Sequence, residues 1–151
     1  MDVSFRRKNI LFLGWGYTAK NVYDCMCKND WIAFASSRNA ELNQFKDKRV
    51  RYVDFKDRHR LCELIRTSDA VLISIPPSGK VDPVLKHYEH VFRQSVKAKW
   101  IGYLSATSVY GDSEGTWVNE KTEPKPSTER GLNRLHIEER WNELGGSFKL
   151  P

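Results

Sequence analysis

Two glycines and an alanine stand close together near the start of the chain, in the segment Gly14-Trp15-Gly16-Tyr17-Thr18-Ala19. In a strand-turn-helix context, the first glycine permits a tight turn and the second lets the backbone approach a pyrophosphate. The small third residue lets the helix pack on the strand, and the helix N-terminus offers N–H groups to phosphates. A purely structural turn is the alternative. The motif predicts a dinucleotide-binding site at the following residues: Gly14, Gly16, Tyr17, Thr18 and Ala19.

The residues about 20 positions after the glycines distinguish the two nicotinamide cofactors. A site that prefers NAD usually carries Asp or Glu there, bonded to the ribose 2′-hydroxyl. This chain has Ser36-Ser37-Arg38, and no acidic residue follows until Glu41. Hydroxyls and a guanidinium suit a 2′-phosphate, because Arg forms bidentate, charge-assisted hydrogen bonds. Ser37 and Arg38 are therefore candidate NADP ligands, with an ordinary solvated arginine as the alternative for Arg38.

The elements that must position these residues alternate between short apolar runs and stretches with helical spacing. Strands are predicted at 10–13, 32–35, 50–53, 70–75 and 100–104, and helices at 17–28, 61–65, 81–98 and 127–145. Such alternation indicates βαβ units. We therefore expect an α/β fold, a Rossmann-like doubly wound parallel sheet of about five strands with helices on both faces, built as one NAD(P)-binding domain over residues 1–151.

Composition and charge exclude several classes of protein. The chain has 151 residues, 40% of them hydrophobic, which argues against disorder, and it has no apolar run long enough to span a membrane. It shows no signal peptide, and its three cysteines lack metal-ligand spacing, so we expect a cytoplasmic protein without a metal. The net charge of +6 predicts an anionic ligand, whether nucleotide, phosphate or nucleic acid. Nucleic acid is disfavoured, because no dense basic stripe or known nucleic-acid-binding motif is present.

A second motif, Leu104-Ser-Ala-Thr-Ser-Val-Tyr-Gly-Asp112, follows the fifth predicted strand. Together with the glycine motif, it makes residues 9–150 resemble the extended short-chain dehydrogenases/reductases, the NAD(P)-dependent epimerase/dehydratase superfamily. The GxGYxA form of the glycine motif is similar to an atypical branch of it. The resemblance implies NADP or NAD as cofactor and hydride chemistry on a nucleotide-sugar or similar carbonyl compound. It also implies cofactor contacts at four further residues: Asp54 and Phe55 beside the adenine ring, and Ile75 and Pro76 along the cofactor.

The usual catalytic set of this superfamily, Ser/Thr-Tyr-Lys, is not matched. Its hydroxyl position is Ala106 here, and its Tyr and Lys positions are Arg130 and Arg134. Arginine is a poor substitute for a general acid/base, because it stays protonated at any working pH. The two arginines are spaced to share a helix face, where they would bind an anionic substrate or simply be solvated. Three polar residues remain as catalytic candidates, with turn capping as the alternative: Thr107, Ser108 and Tyr110.

The resemblance also implies a sixth strand and a substrate-binding lobe after residue 151, which this sequence lacks. A split or truncated gene product, a cut fragment and an assembly completed by another chain are all consistent with that. An unfinished sheet leaves an exposed edge, which favours pairing with a second copy or a partner chain. The favoured hypothesis is the cofactor-binding domain of an atypical epimerase/dehydratase-like reductase. The alternatives are a non-catalytic nucleotide-binding sensor or scaffold and, less favoured, a basic nucleic-acid-binding protein.

Overall fold

The structure is a computed structural model that describes residues 7–26, 30–38, 40, 49–94 and 96–146. Glu41, Cys27 and the chain end after residue 146 therefore lie outside the described residues. The elements, in chain order, are β1 (Lys8–Leu13), α1 (Tyr17–Cys25), β2 (Trp31–Ser37), β3 (Val50–Asp54), α2 (Arg58–Thr67), β4 (Ala70–Ile73), α3 (Pro83–Phe92), β5 (Trp100–Tyr103), a 3₁₀ helix (Thr107–Tyr110) and α4 (Glu129–Gly146).

The five strands form one parallel sheet in the order β3-β2-β1-β4-β5. The apolar strand β1 lies at its centre, with Leu13 beside Ser36 of β2 and Ile73 of β4. The carboxyl ends of these three strands therefore meet at one edge. The chain winds outward in opposite directions from β1, so this edge is a topological switch point, where α/β sheets open a ligand crevice.

Helices cover both faces of the sheet, because alternate residues of each strand point to opposite sides. Leu11 and Leu13 belong to the core cluster that includes apolar residues of α2, α3 and α4. Ile10 and Phe12 belong to the other cluster, which includes Ala19 and other residues of α1. The expected α/β class and Rossmann-like sheet with helices on both faces are confirmed.

Several helix boundaries differ from the sequence expectation; α2, for example, covers Arg58–Thr67 instead of 61–65. The helix predicted over 81–98 ends at Phe92. Val96 still packs against the core, but from a connection in which the Lys97 amide donates to the carbonyl of Arg66. Apolar spacing alone cannot distinguish such a buried connection from a helix. The last helix was expected from residue 127 but begins at Glu129. The preceding residue, Thr128, caps it, because its hydroxyl accepts from the Gly131 amide at 3.1 Å.

None of the helices in the described part of the chain has the length and apolar character needed to cross a bilayer. In the same residues, no three His, Cys, Asp or Glu side chains form a group that could hold a metal ion.

Candidate functional site

The turn after β1 is built around Gly14, whose backbone lies in the left-handed region with φ +103°. The Gly14 amide donates to the Ser36 hydroxyl at 3.0 Å, and the Ser74 hydroxyl donates to the Gly14 carbonyl at 3.2 Å. A Cβ at Gly14 would lie 2.7 Å from the Ser74 Oγ. The turn therefore requires glycine for both its conformation and its space, and two serines, one on β2 and one directly after β4, hold it in place.

The N-terminus of α1 is open to an anion. Gly16 is its N-cap residue and has no side chain to accept from the first-turn amides, and the first turn holds no acidic residue. Tyr17 and Thr18 are exposed, whereas Ala19 is fully buried against the sheet. A Cβ at Gly16 would contact nothing within 4 Å among the described residues. The small residue at 19 thus lets the helix pack closely, and Gly16 leaves the helix end accessible.

A cleft of about 600 Å³ opens over the carboxyl ends of β1, β2 and β4. Seven of the predicted cofactor residues line it: Gly14, Gly16, Ser37, Arg38, Phe55, Ile75 and Pro76. Five further lining residues were not predicted: Trp15, Ser36, Ser74, Ser78 and Pro83. In sequence these residues span about 70 positions, and only the sheet topology brings them together.

The wall of the cleft beyond β2 carries positive charge. Arg38 directly follows β2, is exposed and lines the cleft beside Ser37. No carboxylate is among the described residues that line the cleft. Asp54 ends β3 opposite Ser37, but its Oδ1 accepts from the Lys56 amide at 2.7 Å and it lies outside the lining. The cleft is therefore suited to an anionic ligand.

Phe55 is held in the cleft wall by α3. The Tyr88 hydroxyl donates to the Phe55 carbonyl at 2.7 Å, and the two rings meet edge to face at 5.5 Å. Burial raises the pKa of Tyr88 to about 12, so its phenol remains a hydrogen-bond donor well into the alkaline range. The Phe55 ring thus has a fixed position.

Trp15, which lines the cleft at the glycine turn, is fixed by aromatic packing. The Trp15 ring lies edge to face with Phe12, Tyr23 and Tyr52, at centroid distances of 5.2, 5.8 and 6.0 Å. The residue between the two glycines therefore anchors the turn on the α1 face of the sheet. A tryptophan between paired glycines was the available signal for this role.

The three catalytic candidates form the 3₁₀ helix after β5, a turn that the sequence analysis treated as loop. None of Thr107, Ser108 and Tyr110 lines the cleft or the second pocket described next. The Ser108 Oγ is buried without a hydrogen-bond partner among the described residues. The catalytic role of these residues stays a prediction.

A second pocket of about 410 Å³ lies beside the cleft, and Pro76 lines both. We call it the arginine pocket; its lining is Pro76, Pro77, Gly79, Glu129, Arg130, Asn133 and Arg134. Arg130 is exposed, but Arg134 is only 7% exposed, so a solvated helix face is wrong for Arg134. Its Nη1 donates to the Tyr103 hydroxyl at 3.0 Å and to the Leu104 carbonyl at 3.4 Å.

No family model matches this chain, and neither does any curated protein. Solved structures do match. A functionally unknown conserved protein from Silicibacter pomeroyi DSS is 28% identical, with a TM-score of 0.78 over 91% of this chain and 49% of that one. The UDP-N-acetylglucosamine 4-epimerase from Methanobrevibacter ruminantium M1, in complex with UDP-N-acetylmuramic acid, is 14% identical, with a TM-score of 0.72 over 96% and 53%.

A third match is the UDP-glucuronic acid 4-epimerase from Bacillus cereus in complex with NAD, 20% identical, with a TM-score of 0.67 over 95% of this chain and 53% of the other. These comparisons confirm the Rossmann-like fold. The chain spans about half the length of each of the three structures.

Proposed function

We propose that this chain is the NAD(P)-binding domain of an atypical epimerase/dehydratase-like reductase and that it prefers NADP. One observation carries the proposal: a single cleft at the switch point unites the open glycine turn with Arg38 and has no carboxylate among its described lining residues. The fold likeness to an epimerase solved with NAD supports a nicotinamide dinucleotide as the ligand.

The residues of the cleft fit such a cofactor part by part. Gly14, Gly16 and the amides of Tyr17, Thr18 and Ala19 would hold the pyrophosphate, because the helix end is uncapped by a side chain. At the adenosine end, Ser37 and Arg38 would bind the 2′-phosphate. Phe55 in the cleft wall and the neighbouring Asp54 would flank the adenine ring. Ile75 and Pro76 would pass along the nicotinamide half. When bound, the cofactor supplies hydride transfer.

The substrate and the proton-transfer residues are a further part of the proposal. We infer a nucleotide-sugar or similar carbonyl compound as substrate, supported by the UDP-sugar epimerases of the same fold. Since Ala106, Arg130 and Arg134 occupy the positions of the usual catalytic set, the remaining candidates for proton transfer are Thr107, Ser108 and Tyr110 of the 3₁₀ helix, which lie outside the lining of the cleft. A cytoplasmic location is supported by the free thiols of both described cysteines.

A titration of the purified chain with NADPH and NADH, followed by nicotinamide fluorescence and thermal shift, tests the cofactor assignment. We expect saturable binding, tighter for NADPH than for NADH by about tenfold or more, because charge-assisted hydrogen bonds contribute about 1.5–3 kcal/mol. Arg38→Ala should abolish the difference by weakening NADPH alone. Arg93→Ala is the matched control, because Arg93 is an exposed arginine directly after α3 that pairs with Glu89, and it should change neither affinity.

Two results would overturn the proposal. A cooperatively folded chain that binds neither nucleotide would make the glycine turn purely structural. Equal losses of NADPH and NADH affinity in Arg38→Ala would refute the NADP preference. NADPH binding without turnover of any carbonyl compound would favour the non-catalytic sensor instead.

A further inference from the structure

We propose that the arginine pocket binds an anionic group of the substrate, a carboxylate or a phosphate, beside the nicotinamide end of the cofactor. The inference rests on the proposed function, which it deepens by naming a chemical class for the substrate. It is carried by Arg134, by the charge balance of the pocket and by the position of the pocket next to the cleft.

Arg134 has a buried charge without an opposite charge. Its side chain is more than nine-tenths buried, and both of its hydrogen bonds go to uncharged oxygens, on Tyr103 and Leu104. In the part of the chain that the structure describes, no carboxylate forms an ion pair with it. Burying an unpaired charge is expensive, and arginine has five N–H donors, of which these bonds engage only Nη1. Arg134 is thus prepared to bind an anion.

The rest of the pocket adds positive charge. Arg130 lies one helical turn before Arg134, and the buried Asn133 also lines the pocket. Glu129 is the single carboxylate among the described lining residues, so two guanidinium groups face one carboxylate. All four residues belong to the first two turns of α4, where the helix dipole also favours an anion.

The position of the pocket connects it to the cofactor. Pro76 lines both the cleft and the arginine pocket, at the turn that follows β4. An anion held by Arg130 and Arg134 would therefore lie next to the predicted nicotinamide end. A substrate anchored there by its charged group would place its neighbouring carbon atoms against the cofactor, so the arginines would contribute binding and orientation in place of proton transfer.

The experiment is a nuclear magnetic resonance titration of the ¹⁵N-labelled full chain saturated with NADPH, so that the glycine turn is already occupied. Inorganic phosphate and acetate are the charged probes, and acetamide is the uncharged analogue of acetate. We expect saturable shifts of the Arg134 side-chain N–H signal with phosphate and acetate but not with acetamide. Arg130→Gln, at an exposed site that does not threaten folding, should weaken phosphate binding about tenfold, as expected for one charged hydrogen bond.

Arg140→Gln is the matched control, because this arginine lies on the same helix but pairs with Glu89 outside the pocket. It should leave phosphate affinity unchanged. The inference fails if the charged probes give no saturable shift, or if Arg130→Gln and Arg140→Gln weaken phosphate binding equally.

The same samples separate the substrate from the cofactor as the source of the anion. Arg130→Gln and Arg134→Lys should keep the NADPH affinity of the wild type. A loss of NADPH affinity in both would mean that the arginines hold the cofactor phosphates, which overturns the inference but leaves the proposed function intact. A wild-type chain that binds phosphate at Arg134 but no NADPH would overturn both, since the anion would then have no cofactor beside it.

Discussion

Gly14 and Gly16 occupy the same turn but are required for different reasons. Gly14 has φ +103° and leaves no room for a Cβ beside Ser74, so its role is to make the turn. Gly16 has φ −88°, which any residue adopts, and a Cβ there would meet no described atom within 4 Å. The fold does not need glycine at 16. If glycine is needed there, it is needed for a ligand that approaches the backbone.

Gly16→Ala tests this distinction. We expect the free energy of unfolding to change by less than about 1 kcal/mol, since alanine is only a poorer N-cap than glycine. NADPH affinity should fall by about tenfold or more, because the new methyl group would occupy the approach to the helix N-terminus. Urea denaturation and fluorescence titration on the same sample give both quantities.

Gly14→Ala is the contrasting variant. It should lower the free energy of unfolding by more than about 1 kcal/mol, because alanine is strained at positive φ and would displace Ser74. If Gly16→Ala binds NADPH with the affinity of the wild type, Gly16 has no role in phosphate binding.

At this scale the sequence predicted the roles of single residues better than their contacts. The functions of Gly14 and Ala19 could be predicted because a turn and a close helix contact are local requirements. Ser36 and Ser74 were missed because their hydrogen bonds to Gly14 span 22 and 60 positions. The burial of Arg134 was missed for the same reason, since its acceptors lie about 30 positions earlier on β5 and just after it.

Among the elements, α3 is the helix that connects the cleft to the rest of the core. Its N-cap residue, Asp82, is 1% exposed, and its Oδ1 accepts from the amides of Val84 and Leu85 at 2.7 and 3.0 Å. The other oxygen accepts from the indole N–H of Trp141 on α4 at 3.2 Å. One carboxylate therefore begins α3 and attaches it to α4.

Asp82→Ala should lower the free energy of unfolding by about 2–4 kcal/mol, the sum of a lost N-cap and an unpaired buried indole N–H. Asp57→Ala is the matched control, because Asp57 is the exposed N-cap of α2 and its carboxylate accepts from the Arg60 amide at 3.0 Å. Its loss should amount to about 1 kcal/mol. Equal losses in urea denaturation would show that the bond to Trp141 contributes nothing.

Tyr88 on α3 makes stability depend on alkaline pH. Its folded-state pKa of about 12 lies above the unfolded value of 10.0, so from pH 10 to 12 the folded chain keeps a proton that the unfolded chain releases. The contribution of Tyr88 is therefore complete below pH 10 and is lost as the pH rises through 12. Over that interval we expect a decrease of about 2 kcal/mol in the free energy of unfolding.

Tyr88→Phe should remove this part of the pH dependence and, at pH 8, destabilise the fold by about 1 kcal/mol through loss of the hydrogen bond to Phe55. Tyr17→Phe, at a tyrosine that is 84% exposed, should leave the profile unchanged. Denaturation curves between pH 8 and 12 measure both. A Tyr88→Phe profile as steep as that of the wild type would assign the decrease to other groups.

For the whole molecule, the fold class could be predicted because a βαβ chain shows its strands and helices as a local pattern, in which short apolar runs alternate with helical spacing. The layout of the cleft could not, because strand order decides which carboxyl ends meet. Ser74 and Ile75 reach the glycine turn only because β4 lies beside β1, although the paired residues Ile10 and Ala70 are 60 positions apart in sequence. Cofactor contacts at Ile75 and Pro76 were expected from resemblance alone. The sheet order, with β4 beside β1, is the physical reason why both residues line the cleft.

The two edges of the sheet differ in a way that predicts how the molecule associates. The edge strand β3 carries the exposed charged residues Arg51 and Asp54, which discourage pairing with another strand. The edge strand β5, Trp100–Tyr103, carries no charge and no proline, and Trp100 is 50% exposed. Ile101 and Tyr103 of β5 also line a groove of about 430 Å³. Such an unprotected edge pairs readily, and we expect it to pair with a second copy of this chain.

Sedimentation velocity over a range of concentrations should therefore show a reversible dimer, and Trp100→Lys should shift the chain to monomer by placing a charge on the exposed edge. Leu132→Lys is the matched control, because Leu132 is an equally exposed apolar residue (54%) on α4, away from the edge strand. It should leave the dimer intact. A wild-type chain that stays monomeric, or equal dissociation in both variants, would contradict edge pairing. In that case the edge of β5 would be left for a different polypeptide.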